Sequence, residues 1–426
     1  MSRLVCVALL LSLPAALPAA DWYQFRGPAA NGYAESKNLP TEWSPEKNIA
    51  WRTAVPGLGW SSPVIVAGKM YITTAVPQGE AAKDAKPDHS LRTLCLDAGT
   101  GTVIWDVEVF KQIGKDAPDI HGKNSHASPT PIVEGDKIYI HFGHMGTACL
   151  NVKDGSPVWT NRSLGYKPVH GNGGSPILVG NNLIFSIDGT DKQAAVALDK
   201  ANGKVVWETP RNAKPTKAFS FSTPLLITVN GQDQVISVGS DVVMALEPKS
   251  GKEIWRVRFT GYSVVPKPVF ANGLVYVCTG YDKPALYAIR PDGKGDVTDT
   301  HVAWTINKAS MPRNVIPLPV GDDLYTVSDG GLLSCLEAKT GKLRWEESLD
   351  RQHTSSPIYA GGLVYLLAED GTATVFKPGP KFDIVTLNKF TEPGGASKLL
   401  CLASYAVDGD ALFLRTAKAI YRIEKK

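Results

Sequence analysis

The chain has 426 residues, of which 43% are hydrophobic and 20% charged, and it carries a net charge of +4. This composition is ordinary for a globular protein with a substantial core. The lysines and arginines are scattered and form no basic stripe, which argues against a nucleic-acid partner. No apolar run after the first approaches the length of a transmembrane helix.

Residues 1–20 have the pattern of a signal peptide. Arg3 supplies the positive end, Leu4–Leu13 the apolar core, and Pro14–Ala20 a tail of small residues. The apolar core is too short for a membrane anchor, and Cys6 lies too early for a lipoprotein acylation site. We therefore expect a periplasmic or secreted protein from which this segment is cleaved.

Residues 21–47 are rich in turns and aromatic side chains and contain no repeat. Trp22, Phe25 and Trp43 predict that this segment packs against the rest of the protein and is not a free tail. From residue 48 to residue 426 the sequence predicts a single domain.

A ten-residue frame recurs in this domain: an aliphatic residue, an acid or amide, a turn with Gly at the sixth place, and Trp at the tenth. It occupies Leu96–Trp105, Leu150–Trp159, Leu198–Trp207, Leu246–Trp255 and Leu336–Trp345, with a copy stretched by six residues at Ile289–Trp304. The acid can accept backbone N–H groups across the turn, and the glycine supplies the left-handed residue of a bulged hairpin. The frame therefore predicts a β-hairpin whose Trp lies on the second strand.

The tryptophans of the frame mark a long period. Successive members are 54, 54, 48, 48, 49 and 41 residues apart, in the series Trp51, Trp105, Trp159, Trp207, Trp255, Trp304 and Trp345. A period in this range signals a repeat architecture, and the segments between are short, β-branched and bounded by Gly and Pro. The sequence thus predicts propeller blades and a structural role for these tryptophans.

Each blade is predicted to begin with Ser-Pro or a variant of it. These starts are Ser62-Pro63, Ser128-Pro129, Ser175-Pro176, Thr223-Pro224, Val265-Pro266, Ile316-Pro317, Ser356-Pro357 and Ser404-Tyr405. After the eighth start come Ala411–Arg415 and Ala419–Ile423 but no fourth strand, which Ile49–Thr53 can supply. We therefore predict an all-β fold, an eight-bladed propeller of four-stranded antiparallel blades. It is closed by the N-terminal strand pairing with the C-terminal blade.

The frame L-[DE]-x-x-[TSN]-G-K-x-x-W resembles the repeat of the pyrroloquinoline-quinone-type, or quinoprotein-like, propellers. The resemblance covers nearly all of the chain after residue 20 and implies the architecture, not an activity. The family contains quinone-dependent alcohol and sugar dehydrogenases. It also contains members without a cofactor, such as the lipoprotein of outer-membrane protein assembly.

The five cysteines after residue 20 are predicted to be free. Cys95, Cys149 and Cys335 each stand directly before the aliphatic residue of the frame, where other blades have alanine. Cys behaves in this slot as a small buried hydrophobe, although an exported protein invites a disulfide interpretation. No C-x-x-C motif or adjacent pair supports redox or zinc chemistry through cysteine.

In a four-stranded meander the loops alternate between two faces. The interblade loops and the loops joining second and third strands share one face, here called the upper face, and the acid–Gly turns lie on the lower face. Loops on a rigid scaffold are the expected place for function. The candidate ligand-binding residues are polar residues of the upper face: Asn124, His126, His144, His170, Asn172, Asp188, Asp191, Asp241 and Arg313. The site is expected nearest blades 2 and 3, beside insertions at 75–92 and 107–123 that could act as a lid or docking surface.

Each candidate also has a structural interpretation. The spacing of His126, His144 and His170 matches no compact ligand motif, so no metal is predicted. Acids followed by glycine, such as Asp188-Gly189, are ordinary turn pairs. The histidines can serve to hydrogen-bond the loop backbone.

Three classes of function remain open. The first is a binding or scaffold propeller of the cell envelope, a monomer whose partner is a protein, peptide or glycan. The second, implied by the resemblance, is a quinone-dependent dehydrogenase. It is disfavoured, and no cofactor is expected, because the vicinal Cys pair is absent and no Glu/Asn/Asp calcium cage can be matched. The third is a hydrolase or lyase that uses the His and Asp residues of the channel mouth.

Overall fold

The computed structural model describes residues 21–79, 85–392 and 399–426. Eight sheets, each built on four antiparallel strands, surround a central channel, which confirms the predicted eight-bladed propeller. The described residues contain no α-helix, and two short 3₁₀ helices lie at Gly114–Asp116 and Gly143–Met145. The predicted signal peptide lies outside the described residues.

In blades 1 to 7 the strands follow chain order from the channel outward, and in blade 8 the outermost strand comes from the start of the domain. In blades 1 to 4 they are Val64–Val66, Lys69–Gln78, Asp88–Asp97 and Val103–Gln112; Ile132–Glu134, Lys137–His141, Thr147–Asn151 and Pro157–Asn161; Ile177–Val179, Asn182–Asp188, Gln193–Asp199 and Val205–Pro210; and Leu225–Val229, Gln232–Gly239, Val242–Leu246 and Glu253–Arg258. In blades 5 to 8 they are Val269–Ala271, Leu274–Cys278, Ala285–Ile289 and Val302–Asn307; Leu318–Val320, Asp323–Val327, Leu332–Glu337 and Leu343–Ser348; Ile358–Ala360, Leu363–Leu367, Ala373–Lys377 and Asp383–Asn388; and Ala406–Asp408, Ala411–Arg415, Ala419–Ile423 and Ile49–Ala54.

Two predicted blade starts were wrong by two residues. The inner strands of blades 2 and 5 follow Thr130-Pro131 and Lys267-Pro268, and not the Ser128-Pro129 and Val265-Pro266 pairs that precede them. In both places two X-Pro pairs stand in succession. The second pair is the one next to the strand, because proline fixes an extended approach without needing a ladder donor at that point.

The first strand of the domain closes the ring, as predicted. Ile49–Ala54 pairs antiparallel with Ala419–Ile423, with Arg52 opposite Tyr421. The pairing skips a residue between Ile49 and Trp51, and the same irregularity precedes the Trp of other blades. The closing strand therefore reproduces the outer strand of an ordinary blade and covers the edge that Ala419–Ile423 would otherwise expose.

The tryptophans of the frame join each blade to the next. In six of the seven, the indole N–H donates to a backbone carbonyl in the lower-face turn of the following blade at 2.9–3.2 Å; the pairs are Trp51–Ala98, Trp105–Val152, Trp159–Lys200, Trp207–Pro248, Trp304–Ala338 and Trp345–Gly379. In five of the six, all but Trp345, the ring also packs against the glycine of that turn. Gly203 has φ +73°, and a Cβ there would lie 2.4 Å from the Trp159 ring. The Trp and Gly of the frame are therefore two halves of one contact between neighbouring blades.

Trp255 departs from this pattern because the next blade carries the stretched frame. Its indole N–H donates to Oε1 of Gln234 at 2.8 Å, and Nε2 of Gln234 donates to the carbonyl of Pro291 in blade 5 at 3.1 Å. The stretched frame also contributes the strand Gly295–Asp296, which adds in parallel to the outer strand of blade 4. A side-chain bridge thus replaces the direct bond.

The segment 21–34, here called the plug, enters the channel from the lower face and leaves by the same face. The main chain of Trp22 pairs with Ile65 of blade 1, and the carbonyl of Tyr23 accepts the N–H of Val133 in blade 2 at 2.9 Å. The plug then turns and descends along blade 7, where Tyr33–Ala34 pairs in parallel with Ile358–Ala360. It therefore blocks the channel from below.

Two cationic side chains hold the turn of the plug. Arg26 is buried and donates to the carbonyl of Ser356 at 3.1 Å, and Lys267 of blade 5 is buried and donates to the carbonyl of Ala30 at 3.0 Å. Burial lowers the pKa of Arg26 to about 9 and that of Lys267 to about 7, in the second case with help from the charge of Arg26. The predicted packing of residues 21–47 against the body is realised by these contacts.

All five predicted free cysteines are free and buried in the described residues. Cys95 lies opposite Tyr71 and next to Trp105, as the alanine-like slot of the frame requires. Burial raises the pKa of the Cys95 thiol to about 11, so it has little thiolate character near neutral pH.

Candidate functional site

A cavity of about 690 Å³ opens at the channel mouth on the upper face. Its wall takes residues from the interblade loops of all eight blades, and Phe25 of the plug contributes to its floor. Because the plug fills the channel beneath, the cavity is a cup and not one end of a tunnel. Its volume lies within the usual range for small-molecule and peptide pockets, about 300–1,000 Å³.

Below the rim, hydrogen bonds link neighbouring blades through the residue that lies two positions before each inner strand. The N–H of each donates to the hydroxyl of its equivalent in the next blade at 2.9–3.0 Å; the pairs are Ser62–Thr130, Thr130–Ser175, Ser175–Thr223, Ile316–Ser356 and Ser356–Ser404. Lys267 takes this position in blade 5 and binds the plug instead. These hydroxyls stiffen the lower wall of the cavity.

The wall formed by blades 3 to 5 is aromatic. Phe219 is its centre, with ring centroids 5.5 Å from His170, 5.9 Å from Phe221 and 5.5 Å from Tyr262. The rings are tilted or edge-to-face, an arrangement that aromatic clusters favour. They surround an apolar recess and do not form one flat platform.

Cationic side chains stand beside this wall. The ammonium of Lys217 lies 4.6 Å from the ring centroid of Tyr262 and donates to its hydroxyl at 3.0 Å. The guanidinium of Arg313 lies 5.2 Å from the ring centroid of Tyr281. The bond to Tyr262 raises the pKa of Lys217 above its usual value. Lys217 is therefore charged at neutral pH.

The carboxylate of Asp329, also on the cavity wall, is already engaged. It accepts the backbone N–H groups of Arg313 and Asn314, both at 3.2 Å, and the side-chain amide of Asn314. These bonds fix the interblade loop before blade 6. Asp329 thus holds the loop that carries Arg313 and does not pair with the Arg313 guanidinium.

The predicted insertions are partly strand and partly a strap. Residues 75–78, 88–92 and 107–112, expected in loops, continue the strands of blade 1. The segment 113–123 then runs across the rim: Lys86 pairs with Asp119 at 2.8 Å, and Lys123 pairs with Glu369 of blade 7 at 2.8 Å. At its other side the strap meets blade 3, where the ring centroids of His121 and His170 are 5.7 Å apart, so it reaches the edge of the aromatic wall.

Three of the predicted site residues line the cavity: Asn124, His170 and Arg313. Asn124 donates its side-chain amide to the carbonyl of His170 at 2.7 Å and accepts from Ser125 and Ser128, so it mainly joins the loops of blades 2 and 3. His170 is exposed and has φ +63°. Of the three, Asn124 and His170 are in contact, whereas Arg313 lies on the loop before blade 6.

His126 and His144 lie outside the cavity, in a partly buried cluster among the upper-face loops of blades 1 and 2. The rings of His126 and His89 are 4.6 Å apart, and His144 meets Tyr166 edge-on at 6.4 Å. Burial, with the charges of His89 and His144, lowers the pKa of His126 to about 4; burial also lowers the pKa of His144 and His89. Both ring nitrogens of His144 are buried without a hydrogen-bond partner.

The remaining predicted residues are engaged within the protein and do not line the cavity. Asp188 forms a buried two-point ion pair with Arg211, at 2.6 and 2.7 Å. The side chain of Asn172 accepts from the hydroxyl of Tyr166 at 3.0 Å, and Asp191 accepts the N–H of Lys167 at 2.8 Å. Asp241, at φ +62°, accepts the N–H of Gly261 at 2.8 Å.

Several cavity residues were not among the sequence candidates: Phe25, Trp60, Lys217, Phe219, Phe221, Tyr262 and Tyr281. Most are aromatic, and the search for polar chemistry passed over them. One signal was available, since an aromatic residue followed by Ser recurs in the interblade loops as Trp60-Ser61, Phe221-Ser222 and Tyr262-Ser263.

A calcium-bound quinone, the cofactor of the dehydrogenases in the resembling family, finds no matching cage here. Among the described residues, no group of three or more His, Cys, Asp or Glu side chains could hold a metal ion. The carboxylate of Asp329 is used by three N–H donors, and the described cysteines are single buried thiols. The residues at this mouth do not fit that group.

The family profile described as outer membrane protein assembly factor BamB matches residues 46–223, 191–316 and 295–419. This protein belongs to that family. The matched ranges run from the closing strand to blade 8 and leave only the plug region and the last residues aside.

Relatives of differing function match at low identity. BamB of Yersinia pestis is 24% identical over 208 residues, which are 44% of this chain and 51% of the relative. The dehydrogenase subunit of the quinone alcohol dehydrogenase of Gluconobacter oxydans (strain 621H) is 23% identical over 402 residues, 82% of this chain and 48% of the relative. This chain thus spans about half the length of these curated relatives.

A solved structure gives the same fold. The crystal structure of BamB from Moraxella catarrhalis matches with a TM-score of 0.61 at 13% identity, covering 89% of this chain and 97% of that one. At this identity the likeness concerns the fold alone. Within the described part of this chain, no helix has the length and apolar character needed to cross a membrane.

Proposed function

We propose that this protein is a binding propeller of the cell envelope that holds a peptide segment of a partner in the cavity of the upper face, without catalysing a reaction. The observation that carries the proposal is the cup itself. It is closed below by Phe25 and lined on one side by an aromatic recess. Polar loops from every blade surround its opening.

The shape of the aromatic wall favours a peptide over a glycan. A sugar ring stacks best on one flat, exposed aromatic face, whereas Phe219 is buried and its neighbours meet it at 60–84°. Tilted rings around a recess accept the end of an apolar side chain. Envelope location is supported by the BamB relatives and by the signal-peptide pattern of residues 1–20.

Peptide selection tests the proposal. A random peptide library is panned against the purified protein, and selected peptides are measured by calorimetry against the wild type and Phe221→Ala. We expect Phe221→Ala to weaken binding by about tenfold or more, the usual cost of removing a central aromatic contact, with little change in melting temperature.

Phe270→Ala is the matched control. Phe270 is 37% exposed on the inner strand of blade 5 and does not line the cavity. Its removal should leave peptide affinity unchanged. Peptides that bind equally well to Phe221→Ala but lose affinity on substitution of the lower-face turns at Lys204 and Lys342 would place the functional surface on the opposite face. An oligosaccharide that binds where no peptide does would replace the peptide with a glycan.

A further inference from the structure

Arg313 is a charged side chain on the cavity wall without an acidic partner. Within residues 21–79, 85–392 and 399–426, its guanidinium makes no hydrogen bond or ion pair, and its Nε atom is buried without a partner. Its contact is with the ring of Tyr281, 5.2 Å away. A guanidinium in this state keeps its donors available for a ligand.

Lys217 is a second cation of the cavity wall, and it contacts the ring of Tyr262 as Arg313 contacts that of Tyr281. Its ammonium lies over Tyr262, 4.6 Å from the ring centroid, and forms no ion pair within the described part of the chain. The backbone N–H of Tyr281 donates to the carbonyl of Tyr262 at 3.0 Å, so the main chains that carry the two rings are bonded to each other. Blade 5 therefore presents two joined tyrosines, each carrying a cation from a neighbouring blade.

The nearby acids do not neutralise this pair. Asp329 is occupied by the loop that precedes blade 6, and Glu369 is paired with Lys123 of the strap. Asp282, next to Tyr281, acts on Lys217 only through its charge and makes no ion pair with it. The aromatic wall is thus bordered by two cations that form no ion pair within the described part of the chain.

We propose that Arg313 and Lys217 bind a carboxylate of the ligand, so that the peptide taken by this cavity is acidic, with an apolar side chain next to its acidic group. This inference rests on the proposed function and specifies the chemistry of its ligand. The apolar side chain enters the recess around Phe219, and the carboxylate meets the two cations at its edge.

A guanidinium matches a carboxylate in two-point geometry, and a charge-assisted bond of this kind is stronger than a neutral one. Stacking on tyrosine holds each cation in place before the ligand arrives, so less side-chain freedom is lost on binding. Because the site is open to solvent, binding should weaken as salt increases.

Two dyes with the same rings test the charge requirement. The probes are 1-anilinonaphthalene-8-sulfonate, which is anionic, and N-phenyl-1-naphthylamine, which lacks the sulfonate. We expect the folded wild type to bind the anionic dye about tenfold more tightly, and Arg313→Gln with Lys217→Gln to abolish that preference while the neutral dye still binds.

Two further variants make the result specific. Arg313→Lys keeps the charge and should retain part of the preference, which separates loss of charge from loss of structure. Lys192→Gln removes a cation of the upper face that is paired with Glu208 at 2.8 Å and does not line the cavity, and it should change nothing. Melting temperatures of all variants establish that they are folded.

The outcomes separate the two proposals. If both dyes bind equally well and Phe221→Ala weakens both, the cavity binds ligands but the carboxylate assignment is wrong. If the anionic preference survives Arg313→Gln with Lys217→Gln, the anion lies elsewhere and the inference is also wrong. If neither dye is affected by any cavity substitution, the inference fails together with the proposed binding cup.

Discussion

The lower and upper faces of this propeller are built on opposite plans. On the lower face five of the turns between third and fourth strands repeat the same contact, a Trp ring of one blade against the glycine of the next, with one indole bond between the two blades. On the upper face no two interblade loops share a sequence, and they carry the cavity. Repetition marks the surface that assembles the ring, and irregularity marks the surface left free to bind.

The largest effect is expected from removing the N-terminal segments on which the closed ring depends. Deleting residues 21–55 takes away the plug and the closing strand Ile49–Ala54, leaving Ala419–Ile423 as an open edge. We expect aggregation or a large loss of stability, seen by size-exclusion chromatography and thermal unfolding. A truncated protein that stays monomeric with an unchanged melting temperature would mean that closure is not needed.

A smaller effect is expected from adding one methyl group to the Trp–Gly contact of the lower face. Gly203→Ala adds a Cβ 2.4 Å from the Trp159 ring at a residue with φ +73°. We expect a loss of about 2–4 kcal/mol in the free energy of unfolding, from overpacking and left-handed strain together. Urea unfolding measures it.

Gly180→Ala is the control within the same blade and face. Gly180 has φ +58°, but a Cβ there would meet nothing within 4 Å. Only the backbone strain remains, and the loss should be about 1 kcal/mol. Equal losses at the two positions would show that the Trp contact adds nothing.

Low pH should destabilise the protein through the histidine cluster in the upper-face loops of blades 1 and 2. His126, His144 and His89 have pKa values lowered by burial, that of His126 to about 4, so they are neutral in the folded protein. The unfolded chain binds protons with a pKa of about 6.5, so stability is lost as pH falls from about 6.5 towards about 4. We expect a loss of about 1–3 kcal/mol over that window.

Substitution locates the effect. His126→Gln should make the pH dependence of urea unfolding shallower, because one depressed imidazole is gone. His121→Gln, at an exposed position of the strap, should leave it as in the wild type. An unchanged slope in His126→Gln would remove this cluster from the account of acid sensitivity.

The smallest expected effect is the response to pyrroloquinoline quinone. The cavity offers it no carboxylate–amide cage for calcium, since Asp329 is already bonded to its own loop. Titration with the quinone and calcium should leave Trp fluorescence unchanged and yield no dye-linked alcohol oxidation. Binding near micromolar concentration with turnover would favour the dehydrogenase interpretation.

The fold was predictable because its signal is local and repeated. The Trp spacing, the acid–Gly turn and the missing fourth strand of blade 8 each follow from short sequence patterns, and Ile49–Ala54 lies where that count requires. The starts of blades 2 and 5 were misplaced because two X-Pro pairs compete there. The parallel additions of Tyr33–Ala34 and Gly295–Asp296 have no periodic signal at all.

Only the position of the candidate site could be predicted from the sequence, and not the side chains that line it. Topology indicates the channel mouth, but which side chains face it depends on how each loop folds back. Asp188 is a case in point, since Arg211, which follows the outer strand of the same blade, captures its carboxylate. Phe219 gave no chemical signal in sequence, yet it is the centre of the aromatic wall.

The plug and the closing strand also impose an order on folding. Arg26 bonds to Ser356, 330 residues later in the sequence, and Ile49 pairs with Ile423. Each blade can form from neighbouring residues, and the plug can pair early with blades 1 and 2, but Arg26 and the closing strand cannot make these distant contacts until blades 7 and 8 exist. Contacts of such separation close slowly because a long loop must be ordered first. The closing strand is therefore among the first residues made and among the last to be placed, and Trp51, whose ring lies 6.0 Å from that of Phe413 in blade 8, should report the final and slowest phase of refolding.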